Sequence, residues 1–224
     1  MSTTDTQERY SRQKDIVPPE RLAICKATVI GVGAIGRQVA LQLVAIGIPW
    51  LQLVDFDIVE TTNLASQGYL EDDLGRLKVE ATAAQCRRIN SSIEAIPVAE
   101  RFRRSMEIGN TVFVCVDKID VRRLIWEAVK NTASFYVDGR MSAEVLRVLT
   151  AWDSESRRQY PTTLFRTDEA FIGPCTAKTT IYCANIAAGL MVSQFTKYLR
   201  QLPIEPDIQL NLLASELSIA AACL

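Results

Sequence analysis

The chain has 224 residues, 25 lysines and arginines against 26 aspartates and glutamates, and no histidine. A net charge of −1 gives no electrostatic case for nucleic acid or an anionic membrane, no apolar run approaches the roughly 18 residues of a membrane span, and the polar opening MSTTDTQERYSRQKD lacks an apolar signal core. The expectation is a cytoplasmic protein whose chemistry excludes Ser-His-Asp, Cys-His and histidine-shuttle mechanisms, leaving carboxylates, Lys, Arg, Cys, a metal ion or positioning alone.

In chain order, residues 1–20 read as an N-terminal arm closed by Pro18-Pro19, which stops any helix. Residues 21–224 read as a single domain. Ala27–Ile30 is a short apolar strand. Ile35, Val39, Leu43 and Ile46 recur at helical spacing, which predicts a helix over Gly33–Ile46, ended by Gly47 and Pro49. Leu51–Asp55 is the next strand, Leu77–Asn90 a helix and Ile93–Val98 a strand. Thr111–Val116 has the continuous apolar character of a buried strand. A helix over Val121–Val129 and strands at Phe135–Val137 and Val145–Trp152 follow. Residues 153–178 are polar, broken by Pro161, Gly173 and Pro174, and read as a long loop. Thr179–Leu199 is an apolar helix and Ile208–Leu213 a last strand. Strands alternating with helices predict an α/β, Rossmann-like, doubly wound and mostly parallel sheet, with the later strands antiparallel.

Gly31-Val32-Gly33-Ala34-Ile35-Gly36 lies between a strand and a helix. In that setting Gly31 permits the tight turn, Gly33 admits a phosphate to the backbone, and Gly36 lets the helix lie close on the strand. The helix N-terminus offers unpaired amides to an anion. Asp55, at the end of the second strand, can accept both ribose hydroxyl protons. These residues specify a nucleotide site but leave nicotinamide and ATP both open. An NAD(P)-dependent oxidoreductase would need a proton shuttle, for which the chain has no histidine and little remaining length. A non-catalytic nucleotide-binding scaffold is the third reading.

The stretch DFDIVETTNLASQGYLEDDLGRLKVE, from Asp55 to Glu80, places Asn63, Gln67 and Lys78 after the nucleotide acid. Together with RYSRQ (Arg9 to Gln13), VIGVGAIG and CVDKIDVRR (Cys115 to Arg123), it resembles the ThiF/MoeB family of adenylyltransferases related to ubiquitin-activating enzymes, over nearly the whole chain. The resemblance implies a single adenylation domain. Its substrates are ATP with Mg²⁺ and the C-terminal carboxylate of a small ubiquitin-like or sulfur-carrier protein ending in glycine. It also implies a homodimer, with no nucleic acid and no membrane among the partners.

The resemblance further implies that Asp55 binds ribose, Asp57 supports that loop, Asn63 and Gln67 line the phosphate site, Lys78 offsets phosphate charge, and Asp117 holds Mg²⁺. It implies that Arg12 reaches the ATP of the other subunit. The plain alternatives are a solvated helix residue for Lys78, a helix cap for Asp117, a surface charge for Arg12 and a structural turn for Asp57. Three departures stand out. Ser66 takes the place of the arginine common before Gln67, leaving Arg76 or Arg37 as substitute cations. Leu77 stands where proline is common, and zinc-binding cysteine pairs are missing.

The six cysteines include no CxxC pair and are expected reduced, with Cys25 and Cys115 buried and Cys183 packed on its helix. The resemblance to ubiquitin-activating enzymes implies transfer of the acyl group to a cysteine, for which Cys175, after Pro174 and before Lys178 and a helix, is the candidate; the plain alternative is a loop cysteine with no chemistry. Arg140 is a candidate guide for the partner's tail.

Overall fold

A computed structural model of the chain describes residues 8–165 and 179–219. Its helices and strands, in chain order, are α1 Pro19–Leu22, β1 Lys26–Ile30, α2 Ala34–Ile46, β2 Trp50–Val54, α3 Thr61–Gln67, α4 Lys78–Ile89, β3 Glu94–Val98, β4 Thr111–Val114, α5 Ile119–Val129, β5 Phe135–Ser142, β6 Val145–Ala151, α6 Ser154–Gln159, α7 Ile181–Arg200, β7 Asp207–Asn211 and β8 Glu216–Ile219.

The strands form one eight-stranded sheet in the order β3-β2-β1-β4-β5-β6-β7-β8. The first five pair in parallel and the last three add antiparallel. The chain winds outward from β1 in one direction through β2 and β3, then returns to β4 and winds the other way. The carboxyl ends of β1 and β4 therefore flank the switch point, where open α/β sheets hold ligands.

Alternation along the central strands divides the apolar residues between two cores. Val29 and Phe113 face one side, where they join Val39 and Leu43 of α2 and Met191 and Phe195 of α7. Ile30, Val112 and Val114 face the other, with Ile125 and Trp126 of α5 and Tyr160. Strands buried on both faces have no polar side, which is why they read as unbroken apolar runs.

Several boundaries differ from the sequence expectation. Pro18-Pro19 starts a helix rather than stopping one, because Pro19 sits in the first turn of α1, where its missing N–H costs nothing. Residues 8–20 pack against the rest of the chain. Val17 is buried in the first core, Gln13 Nε2 donates to Ile46 O at 2.7 Å, and a side chain on Gly47 would strike the Tyr10 ring. Strand β5 runs to Ser142, five residues past its expected end. Two further elements, α3 and the edge strand β8, were not foreseen.

The first part of the 153–178 segment is also ordered structure. Helix α6 is capped by Asp153, whose Oδ1 accepts from the Ser156 amide at 2.8 Å and hydroxyl at 2.6 Å. Partial burial opposes ionisation of Asp153, but the Ser156 hydrogen bonds outweigh it and hold the carboxyl below its ordinary value of 3.8. Asp153→Ala should cost about 1 kcal/mol in urea unfolding at pH 7. Because the folded-state value is the lower one, this contribution is fully present above the ordinary value and fades as pH falls through the folded value.

No helix among the described residues is long and apolar enough to cross a membrane.

Candidate active site

The glycine loop is shaped by contacts that only glycine permits. Gly31 has φ +87°, and a Cβ there would lie 2.8 Å from the Cys115 carbonyl. A Cβ on Gly36 would lie 1.8 Å from Gly31 O. The loop is thus pressed against Cys115 and Val116, the segment that leaves β4, and the Cys115 amide donates to Ile30 O at 2.8 Å. Gly33 is different. A Cβ there would meet only Gln67 Oε1, at 3.8 Å. Among the described residues no other side-chain or backbone atom is found within 4 Å of that Cβ position, beside the first amides of α2, which have no carbonyl before them.

Asp55 braces this loop. Its Oδ2 accepts from the Val32 amide at 2.6 Å and its Oδ1 from the Asp57 amide at 2.9 Å. A carboxylate has further lone pairs, so these bonds orient Asp55 and leave acceptor capacity for ribose hydroxyls.

Asp57 in turn meets Lys78. Lys78 Nζ lies 3.2 Å from Asp57 Oδ2, and the Lys78 amide donates to Asp57 O at 2.9 Å. The lysine side chain is 8% exposed and that of Asp57 49%. Lys78 is therefore not a solvated helix residue. It is the first residue of α4, held at the site edge with its ammonium against the Asp57 carboxylate.

Helix α3 follows. Asn63 Oδ1 accepts from the Glu60 amide at 2.9 Å, which commits its oxygen to starting the helix and leaves its side-chain N–H groups to donate. Gln67 Oε1 is buried and has no hydrogen-bond partner among the described residues. A buried carbonyl oxygen without a donor is costly, and this one faces the space at Gly33. The Ser66 hydroxyl turns back to Thr62 O at 2.8 Å. Of the two candidate substitute cations, Arg76 is paired with Asp73 at 3.0 Å, whereas Arg37 is buried against the Tyr69 ring.

Asp117 is exposed in the loop between β4 and α5. It does not cap α5, whose N-cap is Lys118 with no side-chain cap bond. Among the described residues Asp117 has no ion pair or side-chain hydrogen bond, which leaves its carboxylate available. No group of three or more potential metal-binding side chains occurs among the described residues. One free carboxylate still fits Mg²⁺, which is commonly held by one or two carboxylates plus substrate phosphates.

Sequence reasoning missed the support beneath Asp117. Asp138 is fully buried and forms ion pairs with Arg122 and, at 2.8 Å, with Arg140. Tyr160 Oη donates to it at 3.0 Å. Arg122 also donates to Val116 O and Gly139 O. The Arg122 guanidinium thus fixes the backbone immediately before Asp117. Burial, and then the charge of Arg140, push Arg122 down to about 10, which still leaves it charged at neutral pH. Arg140 is not free to guide a tail, because it is spent on Asp138 and on Thr163 O at 2.8 Å. The signal in the sequence was Asp138 and Arg140 directly after the apolar run Phe135–Val137.

Arg12 is exposed on the turn beside Gln13, which is tied to the carboxyl end of α2. The glycine loop is at the other end of that 13-residue helix, roughly 20 Å away at 1.5 Å per residue. Arg12 therefore stands far from the site of its own chain. The four cysteines among the described residues are free, with Cys25, Cys86 and Cys183 buried. Burial pushes the thiols of Cys86 and Cys115 up to about 12, so neither supplies a thiolate. Cys175 and Lys178 lie outside the described residues.

Residues 11–218 match the model of the ThiF family. The chain is a ThiF family member. Among curated ThiF relatives, Adenylyltransferase and sulfurtransferase MOCS3 of Sus scrofa is 36% identical over 133 residues, which is 54% of this chain and 29% of that protein. SAMP-activating enzyme E1 of Haloferax volcanii is 38% identical over 104 residues, 44% of this chain and 38% of that one. The matches span well under half of either relative. Two solved structures share the ThiF fold. PaaA superposes with a TM-score of 0.80 at 22% identity, over 100% of this chain and 84% of that one. MccB of E. coli, solved with ATP, gives 0.75 at 19% identity over 96% and 71%.

Proposed function

We propose that the chain adenylates the C-terminal carboxylate of a small ubiquitin-like or sulfur-carrier protein ending in glycine, with ATP as the nucleotide and Mg²⁺ at Asp117. The observation that carries this reading is the convergence at the switch point: an open anion cradle at Gly33, the oriented Asp55, the Lys78–Asp57 pair and the free Asp117 on adjoining loops. Membership in the ThiF family and the activities named for the curated relatives support it.

The chemistry needs little from acids and bases. A carboxylate oxygen attacks the α-phosphorus, the P–O bond to the β-phosphate breaks, and pyrophosphate leaves. Positioning and charge neutralisation carry such a transfer, which suits a chain without histidine. In this reading Asp55 binds ribose, the α2 amides and the side-chain N–H groups of Asn63 and Gln67 take phosphate oxygens, and Lys78 turns from Asp57 toward the leaving group. Mg²⁺ would offset charge on the phosphates. Arg12 serves the site of a second copy in a homodimer. Cys175 takes the acyl group as a thioester, releasing AMP.

The nucleotide is tested by thermal protection. ATP with Mg²⁺ at about 100 times its Kd should stabilise the protein by about 2.7 kcal/mol, a rise of roughly 5–10 °C in Tm for a domain of this size. NAD should give none. Protection by NAD and not by ATP would return the site to hydride chemistry. Cys175→Ala should leave ATP–pyrophosphate exchange intact and abolish a thioester resistant to denaturant but labile to thiol; unchanged thioester would remove Cys175 from the scheme.

A further inference from the structure

Arg37 is the fourth residue of α2, one turn beyond the glycine loop, and is 5% exposed. An arginine stays charged under ordinary conditions and carries five N–H donors. Yet among the described residues the Arg37 side chain donates no hydrogen bond and joins no ion pair, and its buried Nε has no partner. Burial lowers its affinity for the proton, with smaller opposing effects from neighbours that include Asp73. The nearby carboxylate, Asp73, is already taken by Arg76 at 3.0 Å and by the Leu70 amide at 3.2 Å. What holds Arg37 is a ring. Its guanidinium lies 4.8 Å from the centroid of Tyr69, and Tyr69 Oη donates to Val32 O of the glycine loop at 2.6 Å.

The surroundings point the same way. A Cβ on Gly68, directly after Gln67, would lie 3.5 Å from Arg37 Nη1. The guanidinium therefore sits beneath the end of α3, next to the residue whose orphan Oε1 faces Gly33. An unpaired buried cation and an unpaired buried amide oxygen are each costly. Here they occur together beside an anion cradle, while the hydroxyl of Ser66 is spent on Thr62 O.

We propose that Arg37 is the cation of the phosphate site, held desolvated on Tyr69 so that it pairs with the phosphate chain of a bound nucleoside triphosphate. This rests on the nucleotide reading above and adds the residue that neutralises phosphate charge where Ser66 cannot.

The test is direct binding to the full chain by calorimetry, with ATP, AMP and adenosine, for the wild type, Arg37→Met and Arg37→Gln. Both variants remove the guanidinium and its charge while keeping an unbranched side chain. Without the charge-assisted hydrogen bond, ATP binding should weaken about 10- to 100-fold, adenosine should stay within about threefold, and AMP should be affected less than ATP. Both variants should agree, and the ATP affinity of each should depend less steeply on salt than that of the wild type. Without nucleotide, Arg37→Met should melt at the wild-type temperature or above, since an unpaired buried charge has been removed.

ATP binding within about threefold of wild type in both variants would overturn the assignment. So would an equal loss for ATP and adenosine, or failure of both variants to fold, since either would make Arg37 a structural residue. A wild-type chain that binds no ATP would sink the nucleotide reading itself, an outcome visible before any variant is compared.

Discussion

Lys78→Ala should reduce ATP–pyrophosphate exchange by about 10²- to 10³-fold, the loss that follows removal of one preorganised charge facing a reacting group, and should barely change stability. The two halves of this expectation come from the same geometry. Lys78 is buried to 6% exposure and its ammonium reaches Asp57. Asp57 is half exposed, so water replaces the lysine when it is removed. A pair with one solvated partner contributes roughly 0–1 kcal/mol. Exchange kinetics at saturating ATP, with urea unfolding alongside, separates the two. A large stability loss with exchange intact would make Lys78 a structural anchor for the Ile58–Leu77 bridge beside it.

Asp138→Ala should show the reverse balance, with stability falling first. It would leave Arg122 and Arg140 buried without their shared carboxylate, a cost of about 3–5 kcal/mol for a broken buried ion pair. For a domain of this length that is a drop of roughly 6–20 °C in Tm. Arg122 also holds Val116 O, so the Asp117 loop loses its brace. At temperatures where the variant is folded, exchange should need more Mg²⁺ than wild type. Asp138→Asn keeps a side-chain acceptor for the arginines and should lie between. A Tm within about 2 °C of wild type for Asp138→Ala would show that solvent reaches the two guanidinium groups, since the full penalty of a broken buried pair would move it further.

Much of the fold was legible because the strands are buried on both faces and the helices carry apolar stripes. The glycine loop was legible because Gly31 and Gly36 are forced by close backbone approach, which leaves a fixed spacing in the sequence. Helix α3 was not, since Thr61–Gln67 buries no residue fully and packs chiefly through Leu64. The extension of β5 was missed because Asp138 and Arg140 look like strand breakers. Asp138 is inside because it pairs with Arg140 on its own strand and with Arg122 on α5. The partnership of Lys78 with Asp57 spans 21 residues, and no local periodicity records it. The family resemblance gave each residue a separate role and did not pair them. Arg37 carried no sequence signal beyond its charge. Its significance lies in the hydrogen bonds it does not make.

The most direct measurement of the central claim is exchange of radiolabelled pyrophosphate into ATP by the purified chain, with Mg²⁺ and a small ubiquitin-fold protein whose C-terminus is glycine. The account predicts exchange that needs all three components and disappears when the terminal glycine is deleted or its carboxylate is amidated. Exchange unaffected by amidation, or no exchange with the cognate carrier while ATP is bound, would contradict it.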